Sequence, residues 1–307
     1  MTMRFAVETW APEYGVAADA ETLEDGGERV EVDVEVPTAA WAPIFPSGPR
    51  AERLMFVDGV RRIDARVWIT DDDGVHAGVC ASVAAGAVVV DGGGACVVEH
   101  RVERAVVAAG ARAGGEITTV HGHYGFVPAR GDDPDAVYLA IHELMTALEA
   151  RVATAPDCDV VVFDGPLRGR NEAQAVGYVK TQRVQYLPDD LMPVLVALGD
   201  GERTPLFLIG GRGFSRWSCY VRLPGARSHP LSGIVRLELP GRGAAVAAAA
   251  RADLVAATLP RYASEPHKEP RAPQNLYPIA GLEQRLRHLL GDQFVLERAL
   301  RRAAAAA

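Results

Sequence analysis

Two short apolar runs that both end in an Asp-Gly pair constrain the fold of this chain more than any other feature. Residues 54–57 (Leu-Met-Phe-Val) precede Asp58-Gly59, and residues 160–163 (Val-Val-Val-Phe) precede Asp164-Gly165. An apolar run of this length bounded by a turn signal predicts a strand buried on both faces of a sheet. Each strand would deliver one carboxylate to the rim of the sheet, where Mg²⁺ or Mn²⁺ finds the hard oxygen ligands it prefers. Two ordinary Asp-Gly turns are the alternative.

The pattern from residue 54 to the second acid predicts a meander, a helix and a strand. Residues 54–107 have a strand-like pattern, with apolar and polar side chains alternating at 62–69 and turn signals at 71–74 and 91–94, which indicates antiparallel strands. A helix is expected at about 134–153, with Asp132 or Asp133 as its N-cap and Pro134 in its first turn. The strand that ends at Asp164 follows.

The remainder of the chain shows further helix and strand signals. We expect helices near 171–181, 189–198, 244–259 and 281–289, the last continuing after Gly291-Asp292, and strands at 205–209, 217–223 and 233–239. The terminal alanines, 303–307, are expected to fray. This order of elements is that of the ribonuclease H-like fold, in which the first strand and the strand after the first helix are neighbours at the centre of the sheet. The expected fold class is therefore α/β, a ribonuclease H-like mixed sheet flanked by helices, in which Asp58 and Asp164 converge.

The negative charge is concentrated at the start of the chain. The net charge is −8, and residues 1–38 contain ten acidic residues against Arg4 and Arg29, whereas the rest has 30 acidic and 30 basic residues. We therefore expect an acidic N-terminal arm and connector at 1–50 and a single domain at 51–302. The neutral body excludes a strongly basic nucleic-acid-binding domain.

Composition also bears on the location of the protein. No stretch of about 18 apolar residues is free of charge, so no transmembrane helix is expected. The N-terminal residues lack an apolar signal core with a cleavage site. The four cysteines are scattered without a Cys-x-x-Cys pair, which favours reduced, mostly buried thiols in a cytoplasmic protein.

Lysine and asparagine are rare in this chain and occur only in two short segments. Lys180 and Lys268 are the only lysines, and Asn171 and Asn275 are the only asparagines. A position that keeps lysine where arginine is otherwise preferred indicates a need for a compact ammonium group.

Four motifs in a fixed order resemble the NurA family of nucleases. They are 56–59 (Phe-Val-Asp-Gly), 162–167 (Val-Phe-Asp-Gly-Pro-Leu), 177–181 (Gly-Tyr-Val-Lys-Thr) and 276–278 (Leu-Tyr-Pro). The resemblance covers about 54–291. It implies a ribonuclease H-like fold, a DNA nuclease dependent on Mn²⁺ or Mg²⁺, a homodimer, and a HerA-type hexameric ATPase as partner, with a role in DNA end resection or defence.

The resemblance also implies a set of site residues. Asp58 matches the first acid of the family and Asp164 the second. The glutamate that the family places on the intervening helix, about 20 residues before the second acid, corresponds to Glu143, with Glu149 as the fallback. These two glutamates lie roughly 240° apart around a helix, so only one of them can face the metals. The last ligand corresponds to His267 or Glu283, and the choice between them stays open.

These residues predict a two-metal hydrolysis of phosphodiester bonds, in which carboxylates hold the ions that assist the attacking and leaving oxygens. Asp58 would bridge the metals, and Lys180, on a helix after Asp164, would face the scissile phosphate. Arg168 and Arg170 would follow the DNA backbone. The main alternative is a catalytically inactive adaptor or DNA clamp of the same fold. A single-strand-binding module is disfavoured, because aromatic residues make up only 7% of the chain.

Overall fold

Long antiparallel strands dominate the first half of the computed structural model, which describes residues 28–306 except 72–73, 111–114, 132–133, 155–156, 182–183, 211–213 and 226–227. The strands are β1 (Arg29–Glu31), β2 (Leu54–Asp71), β3 (Gly74–Asp91), β4 (Gly94–Ala108), β5 (Ile117–Thr119), β6 (Gly122–Pro128), β7 (Val160–Asp164), β8 (Ala175–Val179), β9 (Phe207–Gly210), β10 (Ser215–Arg222) and β11 (Ile234–Pro240). The α-helices are α1 (Pro134–Val152), α2 (Met192–Ala197), α3 (Ala245–Thr258), α4 (Tyr277–Leu289) and α5 (Gln293–Ala306).

The strands form one mixed sheet in the order β1-β9-β10-β11-β8-β7-β2-β3-β4-β6-β5. The first three long strands, β2, β3 and β4, form the predicted antiparallel meander. The strand after α1, β7, pairs in parallel with β2, and β8 pairs in parallel with β7. The order β4-β3-β2-β7-β8 at the centre is the ribonuclease H-like arrangement, so the predicted fold class is confirmed.

The strand β2 does not end at Asp58. It continues through Gly59 to Asp71, and Asp58 pairs with Gly86 of β3. The parallel neighbour β7, by contrast, stops at Asp164. The predicted turn at Asp58-Gly59 is therefore wrong, because alternating side chains beyond Gly59 keep β2 paired with β3. The two acids therefore lie side by side where β7 ends, while β2 continues beyond this point.

Helices cover both faces of the central strands, because successive side chains of a strand point to opposite faces. Phe56 and Val60 of β2 pack in a core cluster with residues of α3 and α4. Met55 and Val57 pack in a second cluster with the apolar face of α1. Even-numbered residues of this part of β2 therefore face α3 and α4, and odd-numbered residues face α1.

Three predicted elements differ from the structure. Residues 175–179 form the buried strand β8 instead of a helix at 171–181, because a short apolar run buried on both faces has the same composition as a buried helix segment. The helix α4 begins at Tyr277, four residues before the expected start. The terminal alanines are helical as far as Ala306, so the predicted fraying is wrong for 303–306. Both N-cap candidates, Asp132 and Asp133, lie outside the described residues.

The described part of the N-terminal segment packs against the domain. The strand β1 pairs with β9 at the edge of the sheet, and Trp41 is buried in a core cluster with residues of α2 and β9. Residues 1–27 lie outside the described residues. All four cysteines are free, and three of them are buried, as expected. None of the helices described is long and apolar enough to cross a lipid bilayer.

Candidate active site

The two strand acids lie side by side on the face of the sheet that α3 and α4 cover. The parallel register pairs Val57 with Phe163, so Asp58 and Asp164 occupy adjacent positions on neighbouring strands. Asp58 is 7% exposed. Burial raises the pKa of the Asp58 carboxyl well above its ordinary value, and the nearby charge of Asp164 raises it further. The expectation that the two acids converge is confirmed by this register.

The rare residues Lys180 and Asn275 form a buried polar chain beside Asp164. The Lys180 ammonium donates to Asp164 Oδ2 at 2.6 Å and to Asn275 Oδ1 at 2.7 Å. The Asn275 amide in turn donates to Glu269 Oε2 at 3.1 Å. Lys180 therefore follows a strand instead of lying on a helix, and it is buried against Asp164 instead of facing an incoming phosphate. The other rare residues, Asn171 and Lys268, are exposed.

Glu149, and not Glu143, is the helix glutamate that points towards the sheet; it lies on the α1 side of β2, and its charge contributes to the raised pKa of Asp58. The Glu149 side chain is buried, and its Oε1 lies 2.7 Å from where a Cβ on Gly59 would be. Burial raises the pKa of Glu149, although the charge of Arg170, which donates to Glu149 Oε2 at 2.9 Å, opposes this. Glu143 is exposed, because the face of α1 that carries it points away from the sheet. The choice of Glu143 is therefore corrected to the fallback.

The two candidates for the last ligand are placed differently. Glu283 of α4 is buried and lies close enough to raise the pKa of Asp58. Burial alone would raise the pKa of Glu283, but hydrogen bonds from Arg271 and Arg287 outweigh burial and lower it. His267 is exposed, and its ring contacts Glu265 at 3.4 Å. The structure brings Glu283, and not His267, towards the aspartates.

The loop after Asp164 carries the two arginines that we expect to contact DNA. Arg170 is engaged within the protein, since it binds Glu149 and its guanidinium lies 4.0 Å from the centre of the Phe163 ring. Arg168 is half-buried, has a φ of 48°, and donates from Nη1 to Thr146 Oγ1 at 3.0 Å. Both arginines are therefore half-buried and have partners within the protein.

The charges of the site are unevenly compensated. Asp164, Glu149 and Glu283 each have a cationic partner at hydrogen-bond distance. Asp58 accepts a hydrogen bond from the Gly59 amide at 2.7 Å, and in the part of the chain that the structure describes no lysine or arginine forms an ion pair with it. A buried carboxyl without an ion-pair contact is costly to ionise, and a cation among acidic neighbours relieves that cost.

The donor chemistry fits a hard divalent cation, because the four acids present carboxylate oxygens. Within the described ranges, however, no three Asp, Glu, His or Cys side chains stand close enough together to hold a metal ion. Binding of a metal by more than two of these acids therefore requires side chains to move, with Lys180 leaving Asp164 or Arg170 leaving Glu149.

Sequence reasoning missed three residues that shape the site. Glu238 of β11 is buried and accepts a hydrogen bond from the Leu167 amide at 2.9 Å, which holds the loop after Asp164. Arg61 and His142 lie together on the α1 side of the sheet. The sequence signal for Glu238 is an acidic residue within a largely apolar strand pattern at 234–239.

The family model described as the NurA domain matches residues 86–287, which include Glu149, Asp164, Lys180 and Glu283 but not Asp58. No curated protein sequence matches the chain.

Three of the solved structures that match are similar to this chain at low sequence identity. The NurA nuclease from Sulfolobus solfataricus is 12% identical with a TM-score of 0.48, over 81% of this chain and 84% of that chain. An endonuclease V from Bacillus subtilis is 13% identical with a TM-score of 0.34, over 81% of this chain and 84% of that chain. The catalytic domain of human endonuclease V is 19% identical with a TM-score of 0.32, over 92% of this chain and 99% of that chain.

Proposed function

The chain belongs to the NurA family of nucleases, and from this premise we propose that it is a divalent-metal-dependent DNA nuclease that hydrolyses phosphodiester bonds. The observation that carries the proposal is the pairing of Asp58 and Asp164 on one face of the sheet, with Asp58 buried and without an ion-pair partner among the described residues. A divalent cation bound between the two carboxyl groups would relieve the cost of ionising Asp58 beside Asp164 in a buried position.

Asp58 and Asp164 would hold a Mn²⁺ or Mg²⁺ ion, and Glu149 and Glu283 would complete its surroundings. When bound, such an ion would polarise a phosphoryl oxygen and lower the pKa of the attacking water. Lys180 holds the Asp164 carboxylate in place and offsets its charge while no cation is present. Arg170 does the same for Glu149.

Cleavage of end-labelled single- and double-stranded DNA with Mn²⁺, Mg²⁺ or EDTA tests the proposal. We expect Asp58→Asn and Asp164→Asn to lower metal-dependent cleavage by about a hundredfold or more, because each removes a charge on which the site depends. Asp190→Asn is the matched control, since Asp190 is exposed beside α2, and it should cleave like the wild type. Full activity of Asp58→Asn would contradict the proposed site.

The proposal extends to partners on the strength of family membership. DNA is the expected substrate, a HerA-type hexameric ATPase the expected partner, and a homodimer the expected assembly, in DNA end processing or defence. Light scattering of the pure protein, alone and mixed with such an ATPase, tests both interactions. A monomer that does not associate with the ATPase would contradict this part of the proposal.

An inactive adaptor or DNA clamp for the same ATPase is the second candidate function. It is favoured by the ion pairs that already neutralise Asp164, Glu149 and Glu283, and by the lack of a ready metal-holding group among the described residues. Titration calorimetry with Mn²⁺ separates the two functions. No heat of binding, together with no cleavage in the presence of the ATPase, would support the adaptor.

A further inference from the structure

A group of basic side chains lies on the α1 side of the sheet, on the face opposite to Asp58 and Asp164. Arg61 Nη1 lies 2.8 Å from His142 Nδ1. Arg168 Nη1 donates to Thr146 Oγ1 at 3.0 Å, and Thr146 follows His142 by one turn of α1. Arg61 lies three residues beyond Asp58 on β2, which is about 10 Å along the strand. The group thus adjoins the candidate active site without being part of it.

The contact between Arg61 and His142 determines which ring nitrogen carries the proton. A guanidinium can only donate hydrogen bonds, so His142 Nδ1 accepts and Nε2 carries the hydrogen. Nε2 is buried and has no hydrogen-bond partner among the residues that the structure describes, and the residue as a whole is 4% exposed. A buried donor without an acceptor is rare in native proteins and indicates a missing partner.

The surrounding charges indicate that this partner is an anion. Within the described residues Arg61 forms no ion pair, and burial together with the charge of Arg168 lowers its pKa. Among the described residues no acid raises the pKa of Arg61, whereas Glu149 forms an ion pair with Arg170. The Arg61 guanidinium and the neutral imidazole N–H offer donors only, which is the complement of a phosphate group.

We propose that Arg61, His142 and Arg168 form a binding site for a phosphate group of the DNA strand. The site rests on the proposed nuclease function, because it would hold the strand a short distance from the carboxylates. The phosphate is either an internal phosphodiester or a terminal phosphate, and both present the same acceptor oxygens. His142 supplies its Nε2–H to the phosphate, and the arginines supply charge and direction.

Binding of DNA in EDTA tests the site without cleavage. Fluorescence anisotropy would measure the affinity of 3′-labelled single-stranded oligonucleotides, with a 5′-phosphate or a 5′-hydroxyl, over a series of salt concentrations. Arg61→Gln should weaken binding about tenfold and reduce the slope of log affinity against log salt by about 1. The matched control is Arg66→Gln, since Arg66 is exposed further along β2, and it should bind like the wild type.

The possible results distinguish an internal phosphodiester from a terminal phosphate, and they test the phosphate site separately from the nuclease function. Equal loss for both oligonucleotides supports an internal phosphodiester, and loss confined to the 5′-phosphorylated one supports a terminal phosphate. Unchanged affinity and slope for Arg61→Gln with both oligonucleotides would overturn the phosphate site. Weak binding by Arg61→Gln beside a wild type that never cleaves would leave this site standing and overturn the nuclease.

Discussion

At the scale of single residues, Gly59 decides how closely α1 can approach β2. A Cβ at this position would lie 2.6 Å from Met145 Cγ and 2.7 Å from Glu149 Oε1. Both distances are shorter than van der Waals contact, so α1 can pack this closely on β2 only because residue 59 has no side chain. The glycine of the Asp-Gly pair thus serves helix packing instead of a turn.

We expect Gly59→Ala to destabilise the protein by about 1–3 kcal/mol, because the new methyl group overpacks the α1 interface. It should also lower DNA cleavage, since Glu149 must move. Urea unfolding and the cleavage assay measure the two effects. Gly125→Ala is the control, because a Cβ there meets nothing within 4 Å, and it should change stability by less than about 0.5 kcal/mol. Equal stability of the two variants would contradict the packing argument.

His142 makes the stability of the protein depend on pH. Burial and the charges of Arg168, Arg61 and Arg170 lower the pKa of His142 from 6.5 to about 3. Between these pH values the unfolded chain binds a proton that the folded chain does not. This contribution to stability is therefore lost as the pH falls from 6.5 towards 3, at a rate of up to about 1.4 kcal/mol per pH unit.

His142→Gln should remove that dependence. We expect the difference in unfolding free energy between the wild type and the variant to fall by about 1–2 kcal/mol from pH 7 to pH 5. Urea unfolding at the two pH values gives this difference, and the comparison with the variant cancels the other titrating groups. A difference that does not change with pH would show that folding does not lower the pKa of His142.

At the scale of elements, the loop between β7 and β8 is held from the neighbouring strands. Glu238 of β11 accepts hydrogen bonds from the Leu167 amide, from Arg216 Nε at 3.0 Å and from Arg236 Nη2 at 2.9 Å. Burial alone would raise the pKa of Glu238, but the charges of Arg236 and Arg216 lower it. The carboxylate is therefore ionised and keeps both Asp164 and Arg168 on a fixed loop.

Glu238→Gln should destabilise the protein by about 3 kcal/mol, because it leaves the buried Arg236 without its ion-pair partner and removes one of the two acids that pair with Arg216. The Leu167 amide should exchange with solvent faster, which hydrogen exchange measures directly. Glu297→Gln removes an exposed ion pair with Arg301 in α5 and should cost less than about 1 kcal/mol. Similar losses for both variants would mean that Glu238 does not hold the loop.

At the scale of the whole molecule, one buried arginine joins the N-terminal segment to the domain. Arg203 binds both carboxylate oxygens of Glu35, at 2.9 Å and 2.8 Å, and donates from Nε to Asp253 of α3 at 2.6 Å. Glu35 also accepts from the Leu206 amide, just before β9. The described part of the acidic arm is therefore part of the folded body.

Arg203→Met should destabilise the protein by about 3–5 kcal/mol, since it leaves two acids partly buried without their partner. Combining it with Glu35→Gln should cost less than the sum of the single changes, because the second change removes one of the stranded charges. A double-mutant cycle from urea unfolding measures this coupling. Additive losses would contradict a direct link between the segment and the domain.

Much of the fold could be predicted from local patterns. Alternation predicted the β2–β3–β4 meander, the apolar run before Asp164 predicted β7, and helical periodicity predicted α1. The same information failed at β8, because five apolar residues buried on both faces carry no period. It also failed at Gly59, where the Asp-Gly pair is typical of a turn and only the pairing with β3 keeps the strand extended.

The sequence by itself determined the acids, their order and the strands that carry them, because these depend on residue type and short-range spacing. The tertiary structure alone decided which glutamate faces the site, since Glu143 and Glu149 lie on the same helix and only the packing of α1 on β2 selects one. It alone also placed Lys180 against Asp164 and Arg61 against His142. Those contacts join residues that are distant in the chain, and side-chain contacts of that kind depend on the complete packing of the sheet and its helices.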